Sequence, residues 1–479
     1  MRARALLFSL LFFTAVAWGQ AKAKVRPIAG PEERTAKYLE SVRKQPSLLL
    51  AFLRAMPKGA DLHNHLSGAI YAESYIKWAA EDGLCVNRQT LAFVSAPCDP
   101  EKGMVPAQQA LTDSVLYGQV VNAQSMRFFT GPESGHDHFF NAFGKFGLVS
   151  RTHQGDMLAE VVSRAASQKL SMVALLLAPD KGEVGRFVTE HKFVVGQDFA
   201  AARKSLLDAG LSQVVERSRG NLDSFEKRMR EVLKCGAPQA DKGCDVTVRY
   251  QYEIHRGLSP DVVFTEMVAA FELASADPRV LDVNPVMPED GFVELRDFDL
   301  HMKMIEYLHG AYPKVHLSLH AGELWQGLVR PNELRDHIRK SVEVGHAERI
   351  GHGVDVMFED DPVGLLKEMA SKKIAVEINL TSNDMILGVG GMEHPLAMYL
   401  KVGVPVTIST DDEGVARSDI THEYMKLMRE HDVTYSQVKQ MVRNSLEYSF
   451  LPASERAEAQ RRLERDFVKF ETGECCKIR

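Results

Sequence analysis

Apolar residues recur along this chain in two rhythms. Short segments, apolar throughout or alternating with polar positions, lie at 60–65, 170–178, 246–254, 280–286, 315–320, 349–352, 374–379 and 405–410, the pattern of strands buried in a sheet. Between most of them apolar positions return every three or four residues, over 260–276, 295–312, 332–344, 362–372 and 395–402, which is the spacing of helices with one buried face. Strand followed by helix, repeated, predicts an α/β architecture with a parallel sheet. Eight such strands predict a (β/α)8 TIM-type barrel with helical insertions; a doubly wound open sheet is the alternative with the same rhythm.

At roughly 150 residues per domain, 479 residues would make about three domains. The uninterrupted rhythm argues instead for one barrel over 57–452, with insertions at about 83–165 and 195–245. More than 100 residues separate the first two strands, and 197–234 is a long helical stretch. Both insertions are expected to cover the barrel mouth. Ahead of the barrel, 20–56 is an extension with a helix over 35–56, ending before Pro57. Behind it, 453–479 reads as a C-terminal helix and tail.

The first residues change the expected compartment. Arg2 and Arg4 precede an apolar run from Ala5 to Val16, and Ala17-Trp18-Gly19 offers a small-x-small cleavage site. A cleaved signal peptide over 1–19 is expected, and with it export to a periplasmic or extracellular space; the run is shorter than the roughly 18 apolar residues of a membrane span. An oxidising compartment permits disulfides. Cys85 with Cys98, and Cys235 with Cys244, are close enough for local staples, while Cys475 and Cys476 at the tail have several open pairings.

Composition excludes several classes of function. Hydrophobic residues at 45% and charged residues at 25% are ordinary globular usage, which argues against a disordered or fibrous chain. The net charge, 58 − 64 = −6, comes without a basic run, so neither a nucleic-acid partner nor stable membrane association is indicated. A small-molecule partner is expected, and the sequence sets no oligomeric state.

Unusual polar residues gather at the predicted strand ends. The first strand ends in Asp61-Leu62-His63-Asn64-His65, and residues i and i+2 of a strand share a face, so both imidazoles can meet one ion. The fifth strand runs into His320-Ala321-Gly322-Glu323, the sixth into His352-Gly353 and the eighth into Thr410-Asp411-Asp412-Glu413. In a barrel the C-terminal strand ends form the catalytic face, and a buried ionisable group without a partner or a function is costly. Three imidazoles and one carboxylate suit zinc with an open position for solvent, and such an ion makes hydroxide available near neutral pH. Glu323, three residues beyond His320, suits a proton donor, and His352 and Asp412 can orient or deprotonate the water.

These residues resemble a known family. Residues 57–66 (Pro-Lys-Gly-Ala-Asp-Leu-His-Asn-His-Leu), the His-Ala-Gly-Glu of 320–323, 345–353, Thr381-Ser382-Asn383, Thr410-Asp411-Asp412 and the late segment 444–450 together are similar to the adenosine/AMP deaminase family. The signal and insertions resemble its secreted, growth-factor-related branch. The resemblance implies His63, His65, His320 and Asp411 as ligands of one zinc ion per chain. It implies that Glu323 protonates the purine at N1 while activated water attacks C6, that His352 orients and helps deprotonate that water, and that Asp412 hydrogen-bonds N7. The implied reaction converts adenosine or 2′-deoxyadenosine to the inosine product and ammonia. Two positions depart from the pattern. Ser67 stands where the family usually has an aspartate toward the ribose 5′-hydroxyl, and Met287 stands where a glycine usually brings its N–H toward purine N3. The alternatives are a different 6-aminopurine nucleoside or nucleotide as substrate, or a non-catalytic extracellular binding protein on the same fold.

Other motifs have plainer readings. His346-Ala347-Glu348 matches half of a cytidine-deaminase zinc signature, yet no Pro-Cys-x-x-Cys follows it. Gly388-Val389-Gly390-Gly391 reads as a turn, not a phosphate loop. His136 and His138 head an amphipathic segment with Phe139, Phe140, Phe143 and Phe146, which suits a pocket lid or core. Asn379-Leu380-Thr381 has the form of a glycosylation sequon at a predicted strand end, where modification is not expected.

Overall fold

The computed structural model describes residues 30–131, 134–196 and 198–474. The expected signal at 1–19 and the tail cysteines Cys475 and Cys476 lie outside them.

Eight parallel strands form one sheet in chain order: β1 (Gly59–His65), β2 (Leu170–Leu177), β3 (Thr247–His255), β4 (Val280–Val286), β5 (His316–Ala321), β6 (Arg349–His352), β7 (Ala375–Ile378) and β8 (Val406–Ile408). The ends fall within two residues of those expected from the apolar runs. The ring is drawn shut at its C-terminal mouth by a parallel bridge between Asn64 and Asp411. There the His65 N–H donates to the Asp411 carbonyl, and the Asp411 N–H to the His63 carbonyl, each at 2.9 Å. The sheet is therefore a nearly closed (β/α)8 barrel rather than the open alternative.

The helices follow from their punctuation. Helix Pro260–Ala276 begins with proline in its first turn and Asp261 beside it, a residue pair suited to a helix start. It is buried nearly all round, because the inserted helix Leu211–Val232 covers its outer side. The single helix expected over 35–56 is two, Pro31–Val42 and Pro46–Ala55. Pro46 cannot sit inside a helix and forces Gln45 to an extended ψ of 90°. The stretch expected as one helix over 197–234 likewise divides into Phe199–Asp208 and Leu211–Val232, at Gly210 with φ 102°.

The first insertion holds a small antiparallel sheet of Phe93–Val94, Cys85–Asn87 and Met104–Pro106, stapled by Cys85–Cys98. It then sends helix Gly135–Ser150 over the mouth, where Phe139, Phe140 and Phe143 face a cavity. The second insertion is stapled by Cys235–Cys244. Among the described residues no helix is long and apolar enough to cross a membrane.

Candidate active site

The mouth encloses a cavity of about 410 Å³. Of the nine residues singled out in the sequence, eight line it: His65, Ser67, Met287, His320, Glu323, His352, Asp411 and Asp412. The ninth, His63, lies buried against it, its ring centroid 4.5 Å from that of His320 and 5.4 Å from that of His65. Gly351 makes room for it, since a Cβ there would come 2.8 Å from His63 Cε1.

Hydrogen bonds behind the rings fix how they face one another. His63 Nδ1 lies 2.7 Å from Glu377 Oε2, His65 Nδ1 lies 2.7 Å from Glu253 Oε1, and His320 Nδ1 lies 2.7 Å from Asn284 Oδ1. Asn284 Oδ1 also accepts the His320 backbone N–H at 3.1 Å, so that atom is an acceptor. All three rings thus carry a proton on Nδ1 and direct an Nε2 lone pair to one region, the arrangement that outer partners impose on metal-binding histidines. His65 Nε2 and His320 Nε2 stand 3.3 Å apart. Asp411 Oδ1 is 3.4 Å from the Nε2 atoms of both His63 and His65.

Three observations fit this set to a cation. His63 Nε2 is buried with no hydrogen-bond partner. Two facing lone pairs at 3.3 Å repel unless a positive charge lies between them. Burial opposes protonation of His63, yet Asp411 and Glu377 outweigh it and would hold a second proton on the ring up to about pH 10; a metal at Nε2 supplies the charge those carboxylates call for. Burial keeps His320 and His352 neutral, with the His352 pKa pushed down to about 3. The donor set of nitrogen and oxygen suits a divalent transition metal.

The partners behind the rings were not found by reading strand ends. Glu377 is a single polar residue in an otherwise apolar strand, Ala375-Val376-Glu377-Ile378, whereas Glu253 shares β3 with Arg249 and Gln251, and Asn284 shares β4 with Asp282. That interruption is the signal that could have found Glu377, since a carboxylate in a buried strand needs a partner. Besides His63, Glu377 has two more, for Ser318 Oγ donates to its Oε1 at 3.0 Å and Arg349 Nε also bonds it, while Arg349 Nη2 reaches Asp282 Oδ2 at 3.2 Å. Burial would raise the Glu377 carboxyl, but the Arg349 charge and the His63 bond bring it down to about 2.

Glu323 stands at the rim of the histidine cluster, its Oε1 3.6 Å from His352 Nδ1. Its turn is held by Glu289, which accepts the Gly322 N–H at 3.2 Å and the Glu323 N–H at 2.8 Å. Burial, then the charges of Asp411 and Glu289, push the Glu323 carboxyl well above the ordinary range. Asp412 is pushed up likewise by burial and by Asp411, and Gly68 lets it approach, since a Cβ there would sit 1.6 Å from Asp412 Oδ1. His352, Asp411 and Met287 have φ of 71°, 60° and 88°, a left-handed conformation uncommon for residues with a Cβ, and all three line the mouth. At Met287 the backbone keeps a geometry that favours glycine, while the side chain lines the cavity. Arg256 holds the Met287 carbonyl through Nη2 at 3.0 Å and the His320 carbonyl through Nη1 at 3.1 Å.

The remaining motifs stand apart from the histidine cluster. His136 Nε2 meets Asp290 Oδ1 at 2.9 Å at the head of helix Gly135–Ser150, and His138 Nε2 lies 3.0 Å from the Asn122 carbonyl. His346 precedes β6 with its ring 5.0 Å from that of His309. Gly388 ends helix Leu380–Leu387; Asn379 is the exception, fully buried with its Nδ2 3.4 Å from His352 Nδ1.

Known proteins share this architecture. The family model for adenosine deaminase matches residues 229–465, a range that contains Met287, His320, Glu323, His352, Asp411 and Asp412; the barrel brings His63, His65 and Ser67 to them from outside it. The chain is 39% identical over 142 residues to adenosine deaminases of Escherichia coli strains SMS-3-5 and IAI39, a stretch spanning 29% of this chain and 39% of each relative's length. Among solved structures, Arabidopsis ADAL complexed with IMP aligns with a TM-score of 0.58 at 18% identity, over 87% of this chain and 99% of that one. An adenine deaminase from Arthrobacter aurescens aligns with a TM-score of 0.52 at 17% identity, over 86% and 99% of the two chains. Likenesses at such identity carry the fold alone, and the sequence matches, over 229–465 and over a stretch of 142 residues, make the chain similar to the adenosine/AMP deaminase family.

Proposed function

We propose that this chain is a zinc-dependent hydrolase that converts adenosine or 2′-deoxyadenosine, with water, to inosine or 2′-deoxyinosine and ammonia. The observation that carries this reading is the convergence of the His63, His65 and His320 Nε2 atoms and Asp411 beside Glu323, at the floor of one cavity. About 410 Å³ lies within the range of small-molecule sites, and Phe139, Phe140, Phe143 and Ile386 offer apolar surface to a purine.

The roles of the side chains follow from their chemistry. When bound, zinc supplies Lewis acidity that brings the pKa of water toward about 7. Glu323, which keeps its proton by burial, gives it to purine N1 and makes C6 electrophilic. His352 orients the attacking water, and Asp412, also holding a proton, donates to the N7 lone pair. The water adds at C6, one of its protons passes to the leaving nitrogen and the other restores the Glu323 carboxyl, and the C6–N bond breaks to release ammonia.

Ser67 and Met287 favour a second reading on the same chemistry, in which another 6-aminopurine nucleoside or nucleotide is the substrate and its 5′ region is held differently. Two local disulfides support an oxidising compartment and hence export. The test is ultraviolet monitoring of zinc-loaded and chelator-treated protein with adenosine, 2′-deoxyadenosine, adenine and AMP. A zinc-dependent shift to the inosine spectrum is expected, with Glu323→Gln losing at least about 100-fold in turnover while keeping zinc. Decisive preference for AMP would replace adenosine as substrate, and wild-type turnover by Glu323→Gln would remove its role as proton donor.

A further inference from the structure

We propose that Asn383 and His394 are positioning residues that decide which ring nitrogen of His352 carries the proton, an inference that rests on the deaminase reading above. The chain of reasoning starts from a group with only one role. The backbone N–H of Leu396 donates to His394 Nδ1 at 3.2 Å, so Nδ1 holds a lone pair. His394 is neutral, its pKa brought down to about 3 by burial first and then by His431, His352 and Lys426, and its single proton is therefore on Nε2. That Nε2–H faces Asn383 Oδ1 at 3.2 Å, which turns the other end of the amide, Nδ2, toward His352 Nδ1 at 3.0 Å. Asn379 Nδ2 approaches the same nitrogen at 3.4 Å. An amide N–H can only donate, so His352 Nδ1 accepts and the His352 proton lies on Nε2.

Among the described residues no other group offers a different assignment. His352, Asn383 and His394 are 1%, 0% and 2% exposed. Glu323 Oε1 at 3.6 Å from His352 Nδ1 is outside hydrogen-bond reach, and the His431 ring lies 5.9 Å from that of His394. His352 Nε2 is the nitrogen on the side of Asp411, 3.8 Å from Oδ2. His352 thus presents an N–H to the region where water is activated, and meets that water's oxygen as a donor. Asn383 and His394, outside β6 in sequence, acquire a common purpose: Asn383 transmits to His352 the orientation that the Leu396 peptide imposes on His394.

The experiment reads the tautomer directly, by long-range 1H–15N NMR correlations of the zinc-loaded protein labelled with 15N-histidine, with the His352 signals assigned by their loss in His352→Gln. A neutral ring protonated on Nε2 is expected. Asn383→Asp places an acceptor at Nδ1 and should move the proton there, with zinc content unchanged and kcat lowered by about 100-fold or more. If that variant does not fold, His394→Gln, whose side-chain amide can still donate to Asn383, should keep the wild-type pattern, while His394→Leu should lose it. A wild-type ring protonated on Nδ1 overturns the proposal, as does a folded Asn383→Asp protein with an unchanged ring, or a His394→Leu protein with the wild-type pattern. The spectrum needs no turnover, so an inactive protein with Nε2–H would defeat the deaminase reading alone, and an active one with Nδ1–H this inference alone.

Discussion

Glu253→Ala probes the metal centre with little disturbance elsewhere. Glu253 Oε1 takes the Nδ1 proton of His65 at 2.7 Å. Burial alone would raise this carboxyl, yet the His65 bond and charge hold it below its ordinary value, so the ion is the form that faces the ring. A carboxylate there fixes the ring plane and makes Nε2 a stronger donor; losing such a partner costs about 10- to 100-fold in metal affinity, or about 1.4 to 2.7 kcal/mol. Both side chains are slightly open to the cavity, at 13% for His65 and 14% for Glu253, so water can occupy the space left by alanine and the fold should lose little. Glu377→Ala is the instructive contrast. Glu377 supports His63 but also neutralises Arg349, and both its side chain and that of Arg349 are 0% exposed. Removing Glu377 leaves that buried guanidinium with Asp282 as its one acidic partner, and breaking a buried ion pair costs about 3 to 5 kcal/mol, so the first effect should be on stability. The assay is competition for zinc with a chromophoric chelator, run beside a denaturant titration. A folded Glu253→Ala protein that binds zinc as tightly as wild type would show that the Glu253–His65 pair is not a ligand with its support, and would remove His65 from the proposed set.

Three further outcomes are expected. Met287→Gly should leave stability unchanged or raise it by up to about 1 kcal/mol in chemical denaturation, because φ 88° costs a residue with a Cβ about 1–2 kcal/mol while glycine gives back part of that through the unfolded chain; a loss above 1 kcal/mol would mean the side chain packs more than its backbone strains. For Glu289, burial raises the carboxyl but the His337 bond and Arg256 charge bring it to about 2, below an unfolded value of about 4.3. Its contribution to stability is therefore present above pH about 4.3 and lost as pH falls toward about 2, so the Tm gap between wild type and Glu289→Gln should narrow over that interval, and a constant gap would contradict the sign. Replacing Cys85 and Cys98 by serine, across a sequence separation of 13, should cost about 3 kcal/mol from loop closure, read as a lower denaturant midpoint that reductant reproduces in the wild type.

The barrel was legible because several of its strands, covered on both faces, read as near-continuous apolar runs. β2 and β7 fall where the runs at 170–178 and 374–379 place them, within one residue at each end. Where the reading erred it passed over punctuation: Pro46 and Gly210 each divide what hydrophobic spacing alone joins into one helix. The inward residues at strand ends were legible for a related reason, since His63, His320, His352 and Asp411 are ionisable groups at the end of apolar runs. The supports Glu253 and Asn284 were not, because they stand inside β3 and β4 among other polar residues, Arg249, Gln251 and Asp282, where one more breaks no pattern.

A deeper reason lies in how the supports are distributed. No ring is steadied by a neighbour in sequence: His63 on β1 leans on Glu377 of β7, 314 residues away, His65 on Glu253 of β3, 188 away, and His320 on β5 on Asn284 of β4, 36 away. His352 on β6 takes Asn383 from the helix after β7. The His63–Glu377 pair, β1 with β7, exists only once the sheet has curled far enough to bring its two ends together, and the last joint, Asn64 with Asp411, is made by the peptides of the proposed ligands themselves. Closure of the barrel and assembly of the site are then one event, and a cation drawn to the three Nε2 atoms and Asp411 would bind the closed ring in preference to any opened form. By mass action such a ligand stabilises the closed state in proportion to the logarithm of its concentration over Kd, which ties the integrity of the mouth to the same ion that the chemistry needs.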